Sequence, residues 1–380
     1  MDCLNGLTII DLTQGPAGAF CSLQLADFGA RVIKVELPDG GDEDRRLPSQ
    51  RNGRSGYFVD LNRNKESVAL DFTRPESADS LRRLLQTGDL LVDAFSLRAL
   101  ETIGLDEKTL RRERPSLILA SVTAFGRREI GLPEGDDTVV QAMSGIQAMT
   151  GFPDGRPCRI GSAVSDSIGG LNAALGILLA HFHRMETGEG QSVDVAQLDS
   201  VFGMLEANVL SESLLGEEGE RCGNNDASTL VPYDVYRCAD GYFSAGLAGD
   251  AGWDRFCGAL GMPELEKDSR FASNELRCGH YEEFTAAVAP FFRDKTREEL
   301  QTIFGKANIP CAPVLSVAEI LAHPQLKARD MLLELPEGEG TRRSIGNPMK
   351  LDRTPAEFRR PAPELGQDTQ TILGTLSGDI

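Results

Sequence analysis

Short apolar runs separated by amphipathic stretches make up the first 130 residues. TIIDL (8–12), VIKVEL (32–37), VALDF (68–72), LLVDAF (90–95) and SLILASVTAF (116–125) are short, and most are rich in β-branched or aliphatic residues. Between the first two, AGAFCSLQLADFGA repeats apolar residues at helical spacing and stops at Gly29. PESADSLRRLLQTGD carries Pro75 where a first helical turn tolerates it, and Gly88 where the helix ends. Strands with continuous apolar character, alternating with helices, predict a parallel sheet covered on both faces. The fold class is therefore α/β, with an open sheet.

From 137 to 184 the pattern is mostly helical and rich in small residues, and TGEGQSVDVAQLDSVFGMLEANVL then reads as turn, strand and helix. The polar stretch around 217–230 marks a linker or crossing segment. VPYDVYRCADGYFSAGLA follows, with two β-like runs flanking Ala239-Asp240-Gly241, a hairpin signal. Amphipathic helices are expected at 252–261, 281–293 and 296–306. The division expected is a large domain over 1–216, a small α+β domain over 217–325, and a C-terminal return over 326–380 that packs on the large domain.

Composition narrows the function. The 380 residues carry a net charge of -19, which argues against nucleic acid and anionic membrane surfaces as partners. Any anionic ligand needs its own pocket of basic side chains or helix N-termini. No apolar stretch reaches the ~18 residues of a membrane span, and the N-terminus does not read as a signal peptide. Eight scattered cysteines without a CxxC pair suit free thiols in a reducing cytoplasm. His181 and His183 stand two apart on a helix, so they do not chelate together, and no metal is expected.

A dinucleotide site is the first chemistry to test in such a fold. TQGPAGAF after the first strand lacks GxGxxG, and Pro16 removes an N–H that a pyrophosphate would use, although Glu36 ends the second strand as that fingerprint asks. Asp166, in SAVSDSIGGLNAALG, admits two compatible readings. It is a helix N-cap, or it is a carboxylate nucleophile whose small neighbours Ser165, Ser167, Gly169 and Gly170 admit a bulky electrophile.

Several stretches together resemble the class III CoA-transferase (CaiB/BaiF) family. They are GLTIIDLTQGPAGAFCSLQLADFGARVIKVELPDGGD, NRNKESVALDFTRPE, LILASVTAFG, VVQAMSGIQAMTGFPDGRP, SDSIGGLNAALGILLAHFHRMETGEGQSVDVAQLD and YRCADGYF. The resemblance implies a Rossmann-like large domain, a smaller domain and an interlocked homodimer. It implies that CoA moves between an acyl-CoA and a small carboxylic acid, with a CoA thioester as substrate and no tightly bound cofactor. The family nucleophile matches Asp166, which would form a mixed anhydride and then an aspartyl-CoA thioester. CoA contacts are expected at Gln14, Leu70, Arg74, Phe95 and Arg98. The stretch 245–252, with Gly246, Gly249 and Gly252, matches a mobile lid and equally reads as a strand-to-helix turn. Basic residues that hold CoA phosphates in formyl-CoA transferase are replaced by Leu37, Thr73, Thr102 and Glu134. Arg74, Arg98, Lys65 and the Arg45–Arg46 pair are the candidate substitutes. The racemase branch of the family is the rival activity, but its histidine base falls at Asp136. A family-derived protein with a non-catalytic or non-CoA role is the third reading.

Overall fold

The computed structural model describes the chain except residues 1, 52, 95–97, 128–129, 133–134, 217–218, 226, 338–339 and 378–380. It divides into two compact units, one of residues 1–147, 159–218 and 327–380, the other of 148–158 and 219–326. Residues 148–158, expected in the large domain, thus cluster with the second unit.

Six parallel strands form the sheet of the first unit: β1 (Thr8–Asp11), β2 (Arg31–Glu36), β3 (Lys65–Ala69), β4 (Leu90–Asp93), β5 (Ile118–Thr123) and β6 (Ser192–Ala196). Their spatial order is β3-β2-β1-β4-β5-β6, and every pairing is parallel. This is the doubly wound order, in which ligands bind beyond the carboxyl ends of the strands. The register explains why both faces are apolar. Val32, Ile9, Leu90 and Ile118 align across four strands and point to one face. Their successors Ile33, Ile10, Leu91 and Leu119 point to the other.

Two helices cover the first face: α1 (Pro16–Asp27), with Cys21 and Leu25, and α6 (Val164–Thr187), with Ala173 and Ile177. Between them in the chain come α2 (Gly56–Leu61), α3 (Ala78–Thr87), α4 (Glu107–Glu113) and α5 (Asp137–Met143). Leu81, Leu84 and Leu85 of α3 pack on the second face with Ile372 from a C-terminal helix over Thr369–Ser377. Small residues let α1 and α6 cross closely. A Cβ on Gly170 would sit 2.6 Å from the Ala17 carbonyl oxygen and 3.2 Å from the Cys21 nitrogen.

The third strand begins three residues earlier than its apolar run suggests, because Lys65 is fully buried inside the unit and satisfied there. Its outer edge is covered by the C-terminal return. The Ser67 N–H donates to Asp368, and that of Ala69 to the Thr369 hydroxyl, so backbone donors are not left as a template for another strand. A buried ion pair fixes the same return: Arg63 grips both oxygens of Asp27, and Asn64 and Asn347 donate to the same carboxylate.

After β6 come α7 (Gln197–Phe202) and α8 (Glu206–Leu215). The second unit holds a three-stranded antiparallel sheet of β7 (Tyr233–Cys238), β8 (Gly241–Gly246) and β9 (Cys311–Pro313), with β8 central. The expected hairpin turns at Ala239-Asp240. Helices α9 (Trp253–Leu260), α10 (Tyr281–Arg293) and α11 (Arg297–Lys306) pack on it through Phe243, Phe256, Phe284, Phe292 and Phe304.

Candidate active site

Asp166 is the third residue of α6, not its cap. Ala163 holds the N-cap position without a side-chain bond. The cap is supplied from α5: Asp137 accepts the Ser165 N–H at 3.0 Å and the Ser165 hydroxyl at 2.9 Å. The Asp166 carboxylate is therefore not spent on the helix, and its Oδ1 accepts from Gln197 Nε2 at 2.6 Å. Gln197 begins α7, directly after β6. Gly169 makes room for it, since a Cβ there would lie 2.9 Å from Gln197 Cγ. Partial burial raises the Asp166 pKa to about 6, against the pull of the Gln197 hydrogen bond and with help from the negative charges of Asp137 and Asp136. Position in the first turn also favours an anion there.

Gln14 lies in the loop from β1 into α1, and its Nε2 is buried without a hydrogen-bond partner among the described residues. The crossing at Gly170 and Ala17 brings Asp166 to the end of α1 that Gln14 leads into. Leu70 follows β3, packs on the core beside Phe72 and donates its N–H to the Glu36 carbonyl. Arg74 is largely exposed and pairs with Asp71 at 2.6 Å. Phe95 lies outside the described residues, and the Arg98 side chain is likewise not described. Gln14 thus follows the carboxyl end of β1, and Leu70 and Arg74 that of β3, with β2 between the two strands.

Two of the candidate phosphate ligands are occupied elsewhere. Lys65 is fully buried and donates to Asn62, the Ala19 carbonyl and Asp11. Arg45 forks onto Glu36 at 2.7 and 2.8 Å. Arg46 remains exposed, with one donor on the Gly40 carbonyl. Glu36, the acid a dinucleotide ribose would need, is consumed by Arg45 and by Ser67.

These groups belong to an ionic layer beneath the strand ends that sequence reasoning missed. Lys34 in β2 contacts Asp42 at 2.6 Å, both fully buried, and donates to the Thr13 carbonyl. Burial works against the Asp11 charge, but Lys34, Lys65 and the hydroxyls of Ser22 and Thr13 outweigh it and keep the carboxyl below its ordinary range. Burial likewise drives Lys65 down to about 8 despite Asp11. Thr13 and Gly15, on either side of Gln14, are tied to this layer: the Thr13 carbonyl accepts from Lys34 and the Gly15 N–H donates to Asp42.

Asp136, the position of the racemase histidine, caps α5 by accepting the Val139 N–H. In the second unit, Gly246 ends β8 beside Tyr233, while Gly249 and Gly252 adopt φ of +83° and +91°, which only glycine takes without strain. The turn they form is tied down by Arg277, fully buried, which donates to the Gly249 carbonyl and to Asp250. No cluster of His, Cys, Asp and Glu able to hold a metal occurs among the described residues. No helix there is long and apolar enough to cross a membrane.

The model of CoA-transferase family III matches residues 4–369. The chain is 33% identical over 385 residues to the succinate–glutarate CoA-transferase of Agrobacterium fabrum, covering 98% of this chain and 95% of that one. It is 34% identical to the formyl-CoA:oxalate CoA-transferase of Afipia carboxidovorans, covering 97% and 92%. The crystal structure of a CaiB/BaiF family protein from Brucella suis superposes with a TM-score of 0.88 at 32% identity, covering 99% of each chain.

Proposed function

The chain belongs to CoA-transferase family III, and from that premise we propose that it moves CoA between acyl-CoA and carboxylate through covalent adducts on Asp166. The carboxylate attacks the thioester carbonyl, the C–S bond breaks, and CoA thiolate leaves a mixed anhydride behind. Thiolate then attacks the aspartyl carbonyl, releases the donor acid and forms an aspartyl-CoA thioester. The acceptor carboxylate displaces thiolate, giving a second anhydride. Thiolate takes the new acyl group, and Asp166 is restored. Activation is preserved at every step, so water must be kept out.

The observation that carries this reading is the Asp166 carboxyl itself. It is half-buried, unspent on its own helix, and held by Gln197 at 2.6 Å. With a pKa of about 6, it is mostly the reactive carboxylate at neutral pH, yet not so stabilised that attack is suppressed. The free amide donor of Gln14 suits the oxygen of a bound thioester. Leu70 and Phe95 are assigned to the nucleotide, Arg74 and Arg98 to its phosphates. The relatives transfer CoA among succinate, glutarate, formate and oxalate by their names, so small mono- and dicarboxylates are the substrate class.

A second copy of the chain is part of this proposal. Leu171, Leu175, Leu179, Phe182 and Met185 of α6 are 45 to 71% exposed, and α8 buries none of its residues in one copy. An apolar stripe of this length calls for a partner, and the interlocked homodimer supplies it. Eight free cysteines suit a reducing cytoplasm. The test is CoA exchange with succinyl-CoA plus glutarate and formyl-CoA plus oxalate. Wild type is expected to exchange at least one pair, and Asp166→Ala to keep its fold and lose exchange. Exchange at the wild-type rate in Asp166→Ala would refute the proposal.

A further inference from the structure

Asp44 is a buried acid that the transfer chemistry leaves unused. It stands in the short 3-10 turn Glu43–Arg46 after β2 and is 2% exposed. Its Oδ2 is buried without a hydrogen-bond partner among the described residues. The surroundings divide by sign. Asp42 and Asp166 oppose a charge on Asp44, whereas Lys34 and Lys65 favour one. Both lysines already serve other carboxylates, Lys34 at 2.6 Å from Asp42 and Lys65 at 3.4 Å from Asp11. Arg45, next in sequence, is committed to Glu36. Tyr57 of α2 feels the charges of both Asp166 and Asp44, so the phenol and the two acids share one neighbourhood.

A buried carboxylate without a donor is costly, and a neutral acid much less so. Burial first, then Asp42, then Asp166, push Asp44 up to about 7. Of two close carboxyls, the one with a donor ionises first and the other bears the repulsion. Asp166 has the Gln197 amide, and Asp44 has nothing comparable.

We propose that Asp44 is a positioning residue for the transfer reaction: as a neutral acid it adds no further negative charge to those of Asp166, Asp137 and Asp136 around the nucleophile, and its ionisation repels the polyanionic acyl-CoA. This rests on the reading of Asp166 as the nucleophile. The Asp44 proton is not transferred in any step. It sets the field into which a substrate bearing about four negative charges must come. Loss of that proton therefore raises KM for acyl-CoA and leaves kcat at saturation less affected.

Two measurements test this together. Protein carrying carboxyl-13C aspartate is titrated by NMR as wild type, Asp44→Asn and Asp166→Asn. KM for succinyl-CoA is followed from about pH 6 to 8.5 in wild type, Asp44→Asn and Asp44→Ser. A carboxyl resonance titrating near 7 should vanish in Asp44→Asn and move to lower pH in Asp166→Asn. Wild-type KM should rise roughly fivefold between pH 7 and 8, as one required proton dictates, and neither Asp44 variant should show the rise. A resonance that survives Asp44→Asn, or ignores Asp166→Asn, overturns the pairing. Turnover with a KM flat across pH 7 overturns the role of Asp44 alone. A coupled titration without turnover of any acyl-CoA overturns the nucleophile reading, and the role of Asp44 falls with it.

Discussion

Replacing Gln197 by alanine removes the donor that, among the described residues, holds the Asp166 carboxylate down. The bond is short, 2.6 Å, and its acceptor is charged; such bonds contribute about 1.5–3 kcal/mol, or roughly one to two pKa units. Removing a donor from the charged form raises the pKa, so Asp166 should move from about 6 to between about 7 and 8. At pH 7 the ionised fraction then falls from roughly nine-tenths to between a half and a tenth. The assay is kcat for CoA exchange at saturating acyl-CoA across about pH 5 to 9, with the acid limb as readout. The Gln197→Ala limb should shift to higher pH by at least about one unit, with activity largely recovered at the alkaline end. Gly169→Ala should move it the same way by a smaller amount, because a Cβ there crowds Gln197 Cγ at 2.9 Å. A limb that stays at its wild-type position in Gln197→Ala would refute the account of what sets the Asp166 charge.

Three further outcomes are expected. Gly170→Ala places a Cβ 2.6 Å from a backbone oxygen that cannot swing away, so chemical denaturation should show a loss of about 1–3 kcal/mol. Asp27→Ala leaves the Arg63 guanidinium buried without its forked partner, and should cost about 3–5 kcal/mol by the same measurement. Leu179→Asp puts a charge in the exposed stripe of α6; if the proposed homodimer forms there, sedimentation velocity should find wild type as a dimer and this variant as a monomer at the same concentration.

What was legible in the sequence was local. The alternation of apolar runs and helices gave the parallel sheet, Asp240-Gly241 gave the hairpin, and the 281–293 helix appeared with the bounds its periodicity suggests. What was not legible was which charges meet. Nothing in VIKVEL marks Lys34 as buried, and Lys65 stands ahead of the VALDF run as a candidate phosphate ligand, yet both are fully buried, because Asp42 and Asp11 lie opposite them in space. Lys65 and Asp11 are 54 residues apart, so no window on the chain contains the pair. Reading Asp166 as a cap failed for the same reason, since its helix is capped by Asp137, 28 residues upstream of Ser165. Gln197 carried one faint signal in Gly169, a small residue where a side chain must pass. The carboxylate itself was conspicuous because it stands among Ser and Gly at the head of an apolar helix.

The most direct test of the central claim is to trap the adduct. Protein incubated with succinyl-CoA, quenched with hydroxylamine or borohydride and digested with trypsin should carry its modification on the peptide 160–184, at Asp166. Labelling should be absent without acyl-CoA and absent in Asp166→Asn. CoA exchange that proceeds while Asp166 stays unmodified, or a label that settles on another residue, would contradict the account.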